Sequence, residues 1–497
     1  MRLDLHLFRI GGRRFAFAPV TDSLAVLDEP GWETLSAAAT GDSPDEIRSL
    51  VARRHGPEVA ARCLDELADL VTAHGLDRPD PLAGAPVPGD PDPGASDPGA
   101  GWLPSSPENP VLKSLCLNVA HDCDLRCRYC FAGQGRFGST RGLMTPEVAR
   151  AAVDLLLANS GGTPTCEIDF FGGEPLLNLG VVRETVDYAR RRAAEADRRV
   201  GFTLTTNAVA LGPDERTYLD EAMDNVVLSL DGRPEVHDRM RPTAAGRSSQ
   251  AAVLENIKGF VELREARARR AGDGPACDYW VRGTYTAANL DFTEDVIYLA
   301  RQGLRNLSLE PVVGGPVGPG GWGLGPDHLP DLAAEYVRLA DFILDEFTAG
   351  RPLRFFHFMA EPEAGPCYAK RVRGCGAGRE YMAVTPNGDL YPCHQFVGRE
   401  GFRLGNVTRG PDVARAAPDG SGPAAPDGSA LGRRVGGLWL GAKPACRSCW
   451  ARYRCSGGCH ANGHGATGSL LEPDPLGCAL LKTRTEVSLY LQARQAL

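Results

Sequence analysis

Cys123-Asp124-Leu125-Arg126-Cys127-Arg128-Tyr129-Cys130 is the stretch from which the rest of the chain can be read. Three cysteines spaced x3 and then x2 fit on one face of a compact loop. Three thiolates can hold three irons of a cubane cluster and leave the fourth iron open. A zinc site normally takes four protein ligands, and a four-iron cluster is usually given four thiolates. Three close cysteines without a local fourth therefore point to an iron kept free for a small molecule. The competing reading is a partial zinc knuckle, and the context of the loop has to decide between them.

The chain has 497 residues, room for two to four domains and at least one large core. No apolar run is long enough to cross a bilayer. Residues 1–9 alternate in polarity and soon turn charged, unlike a secretion signal. The expected location is the cytoplasm, where thiols stay reduced. Fifteen cysteines there point to metal rather than to a disulfide framework. The net charge of -9 argues against nucleic acid or an anionic membrane as the main partner.

Residues 1–76 read as a separate module. Short alternating strands are expected at 3–7, 15–17 and 22–27. A helix follows, opened by a capping box of Ser43 and Glu46 with Ile47, Leu50 and Val51 as its buried stripe. A second helix runs through Val59, Cys63, Leu64, Leu67 and Leu70. Strands followed by helices is the order of a winged helix. A DNA-binding wing would carry a basic recognition helix, whereas these helices are rich in Glu and Asp. An open strand edge can instead capture an extended peptide. Residues 77–109, rich in Pro, Gly, Ala and Asp, bury too little to offset ordering and read as a disordered linker.

Residues 110–313 alternate strand and helix patterns. Strands are expected at 115–119, 167–171, 202–205, 226–230, 279–284 and 307–309. Helices fall between them, the first opened by Thr145-Pro146. Such repeats predict an α/β fold, a partial (β/α)6 barrel with a parallel sheet. Chemistry in such barrels sits at the C-terminal ends of the strands. The three-cysteine loop, the Gly172-Gly173-Glu174 turn, Asn207 and Asp231 all fall on that rim. Residues 314–364 add a Gly-rich loop and a bridging helix.

The cysteines return in residues 365–497. A hairpin with an Asn387-Gly388 turn carries Cys375 and Cys393 to one end. Residues 411–431 read as a flexible insert without an assigned role. Then come Cys446-x2-Cys449-x5-Cys455-x3-Cys459 and Cys478, with a short closing helix. Seven cysteines exceed what one zinc or one cluster uses, which leaves a two-zinc ribbon or two clusters open. Cys63, Cys116, Cys166 and Cys277 sit in apolar patterns and read as core packing. His121, His394 and His460 lie next to cluster cysteines and are not counted as ligands.

The loop spacing, with Tyr129 before its last cysteine, resembles the radical S-adenosylmethionine (SAM) enzymes. Gly388-x4-Cys393 and the later run resemble their SPASM extension. Residues 365–398 resemble the maturases of SCIFF peptides (six cysteines in forty-five residues). So do Phe171-Gly-Gly-Glu-Pro175, Ser229-Leu-Asp-Gly-Arg233, Val281-Arg-Gly-Thr284 and Cys449-Trp-Ala-Arg452. The N-terminal module is similar to a RiPP recognition element, which binds peptide leaders. A sister group matures the small subunit of quinohemoprotein amine dehydrogenase.

The resemblance implies SAM and three [4Fe-4S] clusters. The first sits on Cys123, Cys127 and Cys130, with the amino and carboxylate groups of SAM on the open iron. Gly172, Gly173 and Glu174 are implied near the SAM amino group, Ser229, Asp231 and Arg241 near its ribose and carboxylate, and Tyr129 near its adenine, with Asn207 on the same rim. The alternatives are a plain tight turn, a surface ion pair for Arg241 and a core tyrosine. An auxiliary cluster is implied on Cys375, Cys393 and Cys459, completed either by Cys367 or by a substrate thiolate. A second falls to Cys446, Cys449, Cys455 and Cys478. The implied activity is thioether formation in a Cys-rich precursor peptide with a leader, through a 5′-deoxyadenosyl radical, with flavodoxin or ferredoxin as electron donor. Formylglycine-forming sulfatase maturases share the same two halves and remain an alternative.

Overall fold

A computed structural model describes residues 3–82, 111–276, 278–359, 368–409 and 438–496. Cys277, Cys367, most of the expected linker and the 411–431 insert lie outside the described residues.

The N-terminal strands β1 (His6–Ile10), β2 (Arg13–Ala18) and β3 (Ser23–Leu27) form an antiparallel sheet in the order β1-β2-β3. Three helices follow, Glu29–Thr40, Pro44–His55 and Pro57–His74. The Ser43/Glu46 capping box is present, with Ile47 and Val51 buried behind it. The helix Glu29–Thr40 is an addition to the expected two. Its start is marked by Asp28, which accepts a hydrogen bond from the Gly31 amide at 2.8 Å. Its Ala-rich buried side carries few large apolar groups, so it leaves only a faint periodic pattern.

A ten-stranded sheet forms the body, in the order β10-β9-β8-β7-β6-β5-β4-β11-β12-β13. Strands β4 (Ser114–Ala120), β5 (Thr165–Gly172), β6 (Arg199–Thr206), β7 (Asn225–Ser229), β8 (Tyr279–Tyr285) and β9 (Asn306–Pro311) are the six expected parallel strands. A short seventh, β10 (Arg354–Phe355), extends them in parallel. Thr145 caps the helix Pro146–Asn159 with Pro at its start. At the other edge β11 (Tyr381–Val384) pairs in parallel with β4. It turns through Asn387-Gly388 into β12 (Asp389–Tyr391), which pairs with β13 (Gly405–Asn406). The cysteine-bearing hairpin thus continues the barrel sheet. The closing helix, expected to be short, runs from Pro475–Gln495 over 21 residues.

The two faces of the sheet differ. Leu115, Leu117, Ile168, Phe170 and Leu204 join Val153, Leu156, Val182 and Val186 of the outer helices in one core. Burying each such side chain contributes about 1.5–3 kcal/mol. The alternate residues point inward. Cys116 pairs in register with Asp169, and Asp169 with Thr203. Cys116 packs in a second core with Ala383, Cys393 and Phe396. Phe171 and Arg282 also face this inner wall: Phe171 packs on the second core, and the charge of Arg282 acts on Asp169. Among the described residues, no helix is long and apolar enough to cross a membrane.

Candidate active site

The three-cysteine loop is held by backbone packing. The Gly173 amide donates to Ala120 O at 2.8 Å and the Glu174 amide to Asp122 O at 2.9 Å. A Cβ on Gly173 would lie 2.1 Å from Asp122 O, and one on Gly135 would lie 3.1 Å from the Cys123 Cβ. Only glycine allows this approach. The Arg126 and Arg128 amides donate to Pro242 O at 2.8 Å and Met240 O at 2.9 Å, tying the loop to the segment that carries Arg241. Asn207 Nδ2 donates to Asp124 Oδ1 at 2.6 Å and lies 3.6 Å from Cys123 Sγ. The buried Glu174 carboxylate accepts from Leu176 N at 3.0 Å, Thr206 Oγ1 at 2.7 Å and Asn207 N at 2.7 Å. Burial pushes its pKa up to about 7 against those donors. Its side chain is thus held by three donors within the protein.

Asp231 is 0% exposed. It accepts from Tyr129 OH at 2.6 Å, Arg241 Nε at 2.9 Å and the Thr284 amide at 3.0 Å. The Arg241 guanidinium lies 5.4 Å from the Tyr129 ring centroid. Burial opposes its charge, but Asp231, Tyr129 and Cys127 outweigh burial and hold its pKa well above the ordinary value. Among the described residues its terminal nitrogens make no hydrogen bond, which leaves them to receive a carboxylate. Burial pushes the Cys127 thiol up to about 11, with Arg241 opposing. Burial also raises Cys123, and the neighbouring Glu174 adds to it. Ser229 ends β7 in register with Arg282 of β8, and so faces the inner wall. The structure thus brings Tyr129, Asn207, Asp231 and Arg241 around the loop, with Tyr129 and Asp231 bonded to each other.

The later cysteines separate into two groups. Burial raises the Cys375 thiol and pushes Cys393 up to about 12, and the charge of Cys459 adds to both. Gln395 Nε2 lies 3.8 Å from Cys459 Sγ. In the other group burial pushes Cys455 up to about 11, followed by the charges of Cys478, Cys446 and Cys449. Cys478 stands in the first turn of the closing helix. Among the described residues, no three His, Cys, Asp or Glu side chains close on one point as a single metal ion requires. All-thiol groups of three and four suit iron–sulfur clusters, and loading them must release protons from these raised thiols.

Several side chains here escaped sequence reasoning. Lys443, three residues before Cys446, is fully buried beside both later groups. Asp169 has an Oδ1 out of reach of solvent and without a hydrogen bond. Burial pushes its pKa up to about 7, with Arg282 opposing. The available signal was its place two residues from Glu167 in the strand Thr165–Gly172, which puts both acids on the sheet face opposite Ile168 and Phe170. Phe131, about half exposed beside Cys130, lies 5.8 Å from the His394 ring, which in turn lies 5.0 Å from Phe171. Burial lowers His121, His394 and His460 to about 4, so all three are neutral. His394 Nδ1 is 2.9 Å from Tyr381 OH.

Residues 117–263 match the model of the radical SAM superfamily, and residues 375–412 match the SPASM iron-sulfur cluster-binding domain. The chain is 29% identical over 317 residues to the cysteine-type anaerobic sulfatase-maturating enzyme of Clostridium perfringens, covering 60% of this chain and 78% of that one. It is 25% identical over 409 residues to the PqqA peptide cyclase of Methylobacterium nodulans, covering 79% and 92%. Streptococcus suis SuiB, solved with its precursor peptide SuiA, superposes with a TM-score of 0.50 at 16% identity, over 96% of this chain and 99% of that one; this shows the shared fold. The two domain matches imply SAM and [4Fe-4S] clusters as cofactors. This chain therefore joins a radical SAM domain to a SPASM iron-sulfur domain, the make-up of the radical SAM/SPASM proteins.

Proposed function

We propose that the protein installs intramolecular thioether cross-links in a ribosomally made, Cys-rich precursor peptide. Residues 1–76 act as the leader-binding module, 77–109 as linker, 110–313 as the radical SAM barrel, 314–364 as bridge and 365–497 as the auxiliary-cluster domain. The observation that carries the reading is how the N-terminal module sits on the second cysteine group. The His6 ring stacks on Trp450 with centroids 3.6 Å apart, and Arg454 Nε donates to Asp22 at 2.8 Å. Arg452 pairs with Asp4 of the module and with Asp80 just beyond it. Trp450, Arg452 and Arg454 all lie between Cys449 and Cys455. A leader added to the free edge of β3 is thereby held in fixed relation to the cysteine groups.

In this reading Cys123, Cys127 and Cys130 hold the SAM cluster, and Arg241 receives the SAM carboxylate while Ser229 faces its ribose. Cys375, Cys393 and Cys459 hold one auxiliary cluster, completed by Cys367 or by a peptide thiolate. Cys446, Cys449, Cys455 and Cys478 hold the other. When bound, SAM and a reduced cluster supply the radical chemistry that takes a hydrogen atom from a peptide carbon. The chain's share is to orient that carbon and a peptide cysteine on the inner wall and to exclude water. Phe131, Phe171 and His394 form the apolar rim suited to that task. Reducing electrons come from a flavodoxin or ferredoxin.

The N-terminal module favours a leader-bearing peptide over a short sulfatase motif. The 29% identity to a sulfatase-maturating enzyme keeps formylglycine formation as the second reading. Mass spectrometry of a Cys-rich precursor incubated with the reduced enzyme and SAM separates them. Thioether formation removes two hydrogens per link and one alkylatable thiol. Conversion of a cysteine to an aldehyde without a link supports the second reading and contradicts the first.

A further inference from the structure

Lys443 is 0% exposed. Its ammonium makes one hydrogen bond among the described residues, to Gly457 O at 2.7 Å. An ammonium has three donors, and a buried cation costs several kcal/mol unless countered. Gly457 stands between Cys455 of one set and Cys459 of the other, and the Cys446 amide donates to Lys443 O at 2.9 Å, so the ammonium is fixed where the two sets meet. The charges of Cys446, Cys455, Cys459 and Cys375 act on it. Lys482 on the closing helix is half-buried and lies beside Cys446 and Cys478 of a single set.

We propose that Lys443 is a shared countercharge that sets the reduction potentials of both auxiliary clusters. The inference rests on the assignment of the two thiol groups to clusters. A thiolate-bound cluster is anionic, and reduction adds one further negative charge. A fixed, buried cation stabilises the reduced form more than the oxidised one. One lysine placed between two clusters therefore raises both potentials. The hydrogen bond to Gly457 fixes the ammonium rather than neutralising it.

The test is a dithionite titration of the full-length, anaerobically reconstituted protein, followed by electron paramagnetic resonance. Lys443→Met is expected to make both auxiliary couples at least tenfold harder to reduce, about 59 mV for a one-electron couple. The SAM-binding couple stays in place. Lys443→Arg keeps the charge and stays within a few-fold of the unaltered protein. Lys482→Met moves one auxiliary couple, and moves it less, because its charge is partly screened by water. Should Lys443→Met not retain iron, Lys443→Gln, neutral but polar, makes the same comparison. Both auxiliary couples unmoved in a variant with full iron and sulfide content would overturn the proposal. Unaltered protein with no auxiliary couples would instead contradict the cluster assignment itself.

Discussion

Asp169 turns one carboxylate oxygen, without a partner, toward the inner wall of the barrel. Its neighbours there are Arg282 from β8, Glu167 on its own strand, Cys116 from β4 and Tyr381 from β11. Burial raises its pKa from 3.8 to about 7. An acid raised in the folded state binds more protons folded than unfolded between those values. Its favourable contribution is therefore complete below the unfolded value and is lost as pH rises through about 7. Asp169→Asn should match the unaltered protein in melting temperature near pH 4 and exceed it increasingly up to pH 8. An equal offset at every pH would contradict the shift. At this scale the cysteines were the legible part, because their close spacing marks the three-cysteine loop and the later run, while the division of the later ones into two groups came from the family resemblance. The burial of Asp169 and Lys443 was not, because a charged residue in the sequence reads the same on a surface and in a core. The commitment of Tyr129 to Asp231 was hidden as well, since the two meet only after the barrel curls.

The Gly172-Gly173 turn shows how an element positions the chemistry. Its glycines let the end of β5 press against the three-cysteine loop, with Gly172 at φ +129. A methyl group at Gly173 would meet Asp122 O at 2.1 Å, and backbone on both sides leaves it nowhere to go. Gly173→Ala should displace the loop and cost about 1–3 kcal/mol, the usual range for overpacking. Iron analysis should show one four-iron cluster lost, with the auxiliary clusters kept. Full iron content and normal SAM cleavage would show that the loop tolerates the displacement. The six parallel strands were legible from alternating strand and helix patterns. The pairing of β11 with β4 was not, because it joins segments far apart in sequence and neither carries a mark of its partner.

Across the whole molecule, the N-terminal module, the barrel and the cysteine-rich extension share contacts. His6 also lies 2.7 Å from Glu486, and the Phe15 ring meets Tyr490 edge-on at 6.1 Å, both on the closing helix. Residues 77–497 alone should still cleave SAM within several-fold of the full chain, because no residue of the three-cysteine loop or its supports is removed. Modification of a leader-bearing peptide should fall by about 100-fold, as expected when remote binding energy no longer positions the reacting group. Efficient modification by the shortened chain would remove the leader-binding role. The module's three strands and two of its three helices could be read from the sequence, but the helix Glu29–Thr40 and the docking could not. That docking rests on arginines between cysteines that spacing alone marks only as loop residues.

The proposed activity depends on an iron–sulfur cluster on Cys123, Cys127 and Cys130 with one iron left for SAM. Iron, sulfide and zinc analysis of anaerobically purified protein, paired with Cys127→Ala, tests it most directly. About twelve irons and matching sulfide per chain are expected, falling to about eight in Cys127→Ala, as for three four-iron clusters reduced to two. Release of 5′-deoxyadenosine from SAM should vanish in that variant. Zinc without sulfide, or undiminished deoxyadenosine release by Cys127→Ala, would contradict the account.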